Sequence, residues 1–289
     1  MLVWLNGRLL DARQARVSAL DRGLLHGDGV YDTWRTYGGR PFALAAHLAR
    51  LTAAARRLEL PSPGGPGVWD TRTRRLLRGN ALTDGAARLT LTRGNAGTGP
   101  IPVGRVRPTL LLTVRPLPAM LPTLQARGVA VTLLPFARDA GPGWGALKLV
   151  GHASAVVGKR LAARRGAFEG LYVTADELVT EGTTSNVFAV ERGTLLTAPA
   201  DGTILRGVTR DLVLTIARQA GLRIRETPLA VDRLRRADEM FLTASTIEVL
   251  PVTRVDHRRI DTGRPGPVTR ALQDGYRARV ARACGLRPS

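Results

Sequence analysis

The sequence predicts an α/β (α+β) fold in two domains: a small α+β N-terminal domain and a larger C-terminal α/β domain on a barrel-like or open sheet. Three observations predict it. Strand-like apolar runs alternate with segments of helical periodicity along the chain. Pro116, Pro118 and Pro122 punctuate its middle. At 289 residues it also exceeds what one hydrophobic core usually serves. The boundaries that follow are a small domain over 1–116, a linker over 117–123 and the larger domain over 124–289.

The first element is a hairpin, because Asn6-Gly7 sits between the apolar runs VWL and RLL. A strand follows from Val30 to Tyr37, turned by Gly38-Gly39-Arg40-Pro41. From His47 to Leu60, Leu48, Leu51, Ala55 and Leu58 recur at helical spacing. The runs ARLTLTRG (87 to 94) and RPTLLLTVRPLP (107 to 118) read as strands around a Gly/Pro-rich loop. Beyond the prolines, GVAVTLLPFA reads as a strand and GHASAVVGKRLAARRG as a helix. GLYVTADELVTEG and NVFAVERGTLLTAP read as hairpins, the second turning at Gly193. Thr209 to Ala220 is a helix stopped by Gly221, EMFLTAST a buried strand, and Pro267 to Ala283 a last helix with Leu272, Tyr276 and Val280 on one face.

Composition narrows the function. No apolar run reaches the roughly 20 residues a membrane helix needs, and the segment MLVWLNGRLLDARQ lacks the basic flank and apolar core of a leader, so a soluble cytoplasmic protein is expected. The single Cys284 excludes an internal disulfide, and His26, His47, His152 and His257 show no metal-ligand spacing, so no metal is expected. A net charge of +20 raises nucleic-acid binding. Against it, the arginines spread from Arg8 to Arg287 and aromatic residues make up only 4%, too few for stacking platforms. The densest run, Arg72 to Arg78, fits the solvated face of a helix, and no nucleic-acid partner is expected.

Of 43 lysines and arginines only two are lysine, and one of them, Lys148, stands among small and apolar neighbours in GALKLV. Arginine stays protonated, whereas a desolvated lysine amine loses its proton and forms a Schiff base. The other, Lys159, lies in an arginine-rich helical pattern and reads as an exposed charge. A Schiff-base lysine points to pyridoxal phosphate, which needs a phosphate cup, an acid for its ring nitrogen and a floor for the ring. Gly207-Val208-Thr209, at a helix start, offers free N–H groups, a hydroxyl and the helix dipole to a phosphate. Thr243-Ala244-Ser245-Thr246 offers hydroxyls at a strand end, and Glu181, ahead of Gly182-Thr183-Thr184-Ser185-Asn186, offers the acid.

Taken in order, Asp21-Arg22-Gly23, Gly27-Asp28-Gly29-Val30-Tyr31, His47-Leu48-Ala49-Arg50-Leu51, Lys148, Thr180-Glu181-Gly182 through Asn186, Gly207-Val208-Thr209-Arg210, and Phe241-Leu242-Thr243 through Pro251-Val252 resemble the class IV aminotransferases. This fold type IV pyridoxal-phosphate family holds branched-chain and D-amino-acid aminotransferases and aminodeoxychorismate lyases. The resemblance runs from about residue 3 to 280. It implies a homodimer with the cofactor between two domains and Lys148 as catalytic lysine. It places Glu181 at the pyridine nitrogen, Arg50, Val208, Thr209 and Ser245 at the phosphate, Leu205 against the ring and Arg138 toward the phenolic oxygen. Tyr31, Thr33, Arg88 and Thr246 fall where substrate is held.

The subgroup signals diverge. The Arg-x-His trap of bacillar D-amino-acid aminotransferases is replaced by Thr98 and Pro100, and the branched-chain Tyr-x-Arg by Ala86-Ala87-Arg88. Tyr31-Asp32-Thr33 and Gly145-Ala146-Leu147-Lys148 lean toward the lyases, Ser245 through Val252 toward the transaminases. The reading favoured here is an aminotransferase acting on an amino acid and a 2-keto acid, with aminodeoxychorismate lyase as the alternative.

Overall fold

Asn6 and Gly7 take φ of 46° and 91°, which closes a tight hairpin between β1 (Leu2–Leu5) and β2 (Arg8–Asp11). The computed structural model describes residues 1–138 and 143–287. They divide into two units: Met1–Leu117 with Leu147–His152 and Val280–Arg287, and Pro118–Ala146 with Ala153–Arg279. Lys148 therefore groups with the N-terminal unit.

In the first unit the hairpin is followed by α1 (Arg22–Leu25), β3 (Gly29–Tyr37), β4 (Arg40–Pro41), α2 (Leu44–Arg57), α3 (Pro66–Gly79), β5 (Ala86–Thr92) and β6 (Thr109–Arg115). The strands form an antiparallel sheet in the order β2-β1-β6-β5-β3-β4. Its longest strand is β3, between β5 and β4, where alternation buries Val30, Asp32, Trp34 and Thr36 and leaves Tyr31, Thr33 and Arg35 half-buried. Because β3 pairs with β5 at Thr33↔Arg88 and Asp32↔Leu89, Tyr31, Thr33 and Arg88 share one face. Asp32 and Trp34 occupy the other, against α2, in a core with Leu48, Leu51, Trp69 and Leu76. The arginine run lies on α3 and is only partly solvated: Arg72 stacks over Trp4 and Trp69, at 4.0 and 4.7 Å from their ring centroids.

The second unit opens with α4 (Leu121–Arg127), helical where the prolines predicted a linker. Pro122 sits in its first turn, where no N–H is missed. After it come β7 (Val129–Leu133), α5 (Ala153–Arg164), β8 (Glu169–Val173), β9 (Leu178–Gly182), β10 (Asn186–Glu191), β11 (Thr194–Thr197), α6 (Val208–Gln219), β12 (Arg223–Glu226), β13 (Leu229–Ala230), α7 (Val231–Arg235), β14 (Glu239–Ala244), β15 (Glu248–Val255) and β16 (Arg258–Arg259). The strands make one mixed sheet in the order β12-β11-β10-β14-β15-β7-β8-β9-β13, with β16 beside β15. β7 runs parallel to β8 and β15.

The last helix, α8 (Pro267–Cys284), starts on a buried acid. Glu239 accepts the N–H groups of Val268 at 2.9 Å and Thr269 at 2.7 Å and the Thr269 hydroxyl at 2.6 Å. A carboxylate at a helix N-terminus satisfies donors that have no partner within the helix. Glu239→Ala should therefore destabilise the protein by roughly 2–4 kcal/mol, read as a lowered thermal midpoint.

Candidate active site

The amine of Lys148 lies 4.8 Å from the centroid of the Tyr31 ring. The lysine is placed by its backbone: its carbonyl accepts the Tyr31 N–H at 2.9 Å, the Val150 N–H bonds Gly29 O at 2.9 Å, and Leu149 bridges to Val30. The Arg88 guanidinium stacks over the same ring at 3.7 Å. Arg88 also donates to Thr90 Oγ1 at 3.3 Å, and among the described residues no carboxylate pairs with it or with Lys148. Burial lowers the pKa of Arg88. Three residues assigned from the sequence, Tyr31, Arg88 and Lys148, are thus brought together, with Thr33 opposite Arg88 in the sheet.

Arg50 extends from α2 to a carboxylate the sequence reading left without a role. Its Nε and Nη2 each donate at 2.8 Å to Asp32, which is completely buried. Asp32 also accepts His47 Nδ1 at 2.8 Å and the Thr33 N–H at 2.7 Å. Burial alone would raise the pKa of Asp32; the Arg50 charge and the His47 hydrogen bond hold it far below the usual carboxylate range. Burial lowers the pKa of His47, with the Arg50 and Lys148 charges acting the same way against Asp32. The imidazole is neutral and donates its Nδ1–H.

In the second unit Glu181, at the end of β9, is buried and accepts the Leu205 N–H at 3.1 Å and Asn186 Nδ2 at 3.3 Å. Arg138 pairs with the same carboxylate and donates to Gly145 O at 2.8 Å. Asn186 also holds Leu205 O at 2.8 Å, which joins β10 to the segment leading into α6. Gly207 is the N-cap of α6 without a side-chain cap, and a Cβ there would overlap Asn186 Oδ1. Val208 and Thr209 follow in the first turn, Thr209 buried. Strand register sets Thr243 of β14 opposite Asn186, and the Thr243 hydroxyl is buried with no hydrogen-bond partner among the described residues. Ser245 and Thr246 lie on the turn after β14.

The chain after Glu181 is held by Glu169, a fully buried acid at the start of β8 that sequence reasoning missed. It accepts Thr184 Oγ1 at 2.9 Å and Ser185 Oγ at 3.3 Å, bonds the Thr183 hydroxyl, and pairs with Lys159 at 3.4 Å. Lys159 is therefore a paired, half-buried cation rather than the exposed charge expected; its amine also lies 4.2 Å from the Phe168 ring centroid. Among the described residues no group of three or more His, Cys, Asp or Glu could hold a metal ion, and no helix is long and apolar enough to cross a membrane.

The family model for Amino-transferase class IV matches residues 29–255. The chain is 34% identical over 278 residues to a protein of Methanocaldococcus jannaschii named putative branched-chain-amino-acid aminotransferase, covering 96% of each. It is 34% identical over 280 residues to D-alanine aminotransferase of Bacillus licheniformis, covering 94% of this chain and 95% of that one. Among solved structures, the branched-chain amino acid aminotransferase of Escherichia coli matches with a TM-score of 0.87 at 28% identity, over 94% of this chain and 92% of that one.

Two outcomes are expected. Gly207→Ala forces its new Cβ against Asn186 and should destabilise the protein by about 1–3 kcal/mol in thermal melts. The pH prediction follows from the folded state favouring neutral His47. Its contribution to stability is full above the ordinary imidazole value of about 6.5 and is lost as pH falls from there. His47→Gln should flatten the fall in denaturant midpoint between roughly pH 7 and pH 5.

Proposed function

This chain belongs to the class IV aminotransferases, fold type IV enzymes that use pyridoxal 5'-phosphate to transfer an amino group between amino acids and 2-keto acids, and we propose that Lys148 is its catalytic lysine and Arg88 its carboxylate-binding residue. The observation that carries this reading is the Tyr31 ring, which has the Lys148 amine 4.8 Å and the Arg88 guanidinium, without a carboxylate partner among the described residues, 3.7 Å from its centroid. A zwitterionic amino acid and an anionic keto acid both bring a carboxylate that a guanidinium can bind through two hydrogen bonds. The relatives' names, aminotransferases throughout, do not favour the lyase alternative.

The residues present suit the cofactor. The uncapped start of α6, the crowding that keeps position 207 a glycine and the unsatisfied Thr243 hydroxyl all suit a phosphate. Val208, Thr209, Ser245 and Arg50 would hold that phosphate, Glu181 the ring nitrogen and Leu205 the ring face, with Arg138 toward the phenolic oxygen. When bound, pyridoxal phosphate supplies an aldehyde and an electron sink. Lys148 would anchor the cofactor through its amine and, in its free form, would be the base at the substrate α-carbon. Arg88, Tyr31, Thr33 and Thr246 orient the substrate over that amine. Glu181, an acceptor in its hydrogen bonds, would favour the protonated ring nitrogen.

The same proposal makes the protein a cytoplasmic homodimer. Exposed apolar side chains of Val17, Leu20, Leu24, Leu25, Ile101 and Val103 support a self-association face. Their two segments are joined where Arg22 donates to Gly99 O and Pro100 O and His26 meets Thr98 O at 3.0 Å.

Keto-acid formation from a panel of L- and D-amino acids, with a second keto acid as acceptor, tests the reading and identifies the donor. Lys148→Ala should abolish turnover and the visible absorbance of the bound cofactor. Arg88→Leu should lower kcat/KM by about 10- to 100-fold, mainly through KM, while leaving that absorbance intact. Turnover by the Lys148 variant at the wild-type rate would exclude the assignment.

A further inference from the structure

We infer that Asp32 is a positioning residue for phosphate recognition: it locks the Arg50 guanidinium in one pose, the pose from which Arg50 would meet the cofactor phosphate. This rests on the reading of Arg50 as a phosphate ligand. The lock is built from the backbone outward. The Thr33 N–H ties Asp32 Oδ1 to its own strand at 2.7 Å, and His47 Nδ1 ties the same oxygen to α2 at 2.8 Å. The carboxylate is saturated and cannot turn. Against it Arg50 lays its Nε–Nη2 edge, two parallel bonds of 2.8 Å that hold a planar guanidinium in both position and plane.

Stability alone is a weak reason for such an arrangement, because a buried ion pair stabilises a fold little better than apolar residues of equal volume. Pose is a better one. An arginine reaching a phosphate unaided must immobilise a long side chain as the ligand binds, whereas here α2 and β3 have immobilised it beforehand. Asp32 also has an opposing effect, since its negative charge repels a phosphate. That effect acts on any anion in any pose and is weakened by salt, while pose is specific and salt-insensitive. His47, neutral in the folded protein, completes the lock without adding charge.

The test compares pyridoxal 5'-phosphate with pyridoxal on the full-length protein freed of bound vitamer, at high salt, by the visible absorbance of the lysine adduct. The ratio of the two affinities isolates the phosphate, and a merely structural defect would weaken both vitamers alike. Arg50→Met should lower the ratio most. Asp32→Asn should lower it by about tenfold or more, the equivalent of one charge-assisted hydrogen bond, with pyridoxal affinity unchanged within about twofold. The double variant should match Arg50→Met alone. Asp32→Glu, which keeps the charge but moves the carboxylate by a methylene, should lower the ratio partially and covers the case in which the asparagine variant fails to fold. If Arg50→Met lowers the ratio and neither Asp32 variant does, the role of Asp32 is overturned while Arg50 keeps its own. A ratio that Arg50→Met leaves at the wild-type value overturns both, and equal losses for the two vitamers in the Asp32 variants reduce Asp32 to a structural part.

Discussion

A carboxylate taken out of water must be met by enough donors to replace its hydration, and that requirement organises both units of this enzyme. Asp32 and Asp21 in the first unit, and Glu169, Glu181 and Glu239 in the second, are all buried. Each collects at least three donors. Asp21 takes the Gly23 N–H and the hydroxyls of Thr92 and Thr109, at 2.7, 2.9 and 2.6 Å, and so ties α1 to the sheet without any cation. Glu239 starts α8, and Glu169 gathers the hydroxyls of Thr183, Thr184 and Ser185. Asp32 and Glu181 carry the guanidinium of an arginine as well.

The consequence for function is rigidity in groups that would otherwise be flexible. Arg50 and Arg138 are long side chains, yet each has donors committed before any ligand arrives. Arg88 differs: it rests on an aromatic face and a threonine hydroxyl, with no carboxylate among the described residues. That contrast separates the arginines proposed for the cofactor from the one proposed for an exchanging substrate, which must bind and leave in every half-reaction. The net charge of +20 acts more diffusely, raising the local concentration of anionic keto acids and of phosphate.

Close backbone approach is the second constraint. Gly207 allows the start of α6 to lie against Asn186, which in turn bonds Glu181 and the Leu205 carbonyl. One asparagine therefore links the acid proposed for the ring nitrogen, the residue proposed for the ring face and the helix proposed for the phosphate. The names of the relatives divide between branched-chain and D-alanine aminotransferases, so one scaffold carries proteins named for different amino acids.

By itself the sequence determined the alternation of strands and helices, the turns at Asn6-Gly7, Gly193 and Gly221, and the exceptional lysine, because these depend on local backbone preference and on the chemistry of a single residue type. The chemistry a cofactor demands singled out Glu181 and the α6 N-terminus, and the ordered motifs added Arg50 through resemblance. What only the tertiary structure decided was partnership. Glu169 is an acid in an ordinary strand sequence until folding brings it to three hydroxyls and Lys159, and Asp32 and His47 stand 15 residues apart until α2 packs on β3. The helix at Leu121–Arg127 likewise prevailed over a proline-rich appearance, since Pro122 lies in the first turn, where it blocks no hydrogen bond. Local propensity is written in neighbouring residues, whereas the pairing of buried charges depends on which distant segments exclude water together.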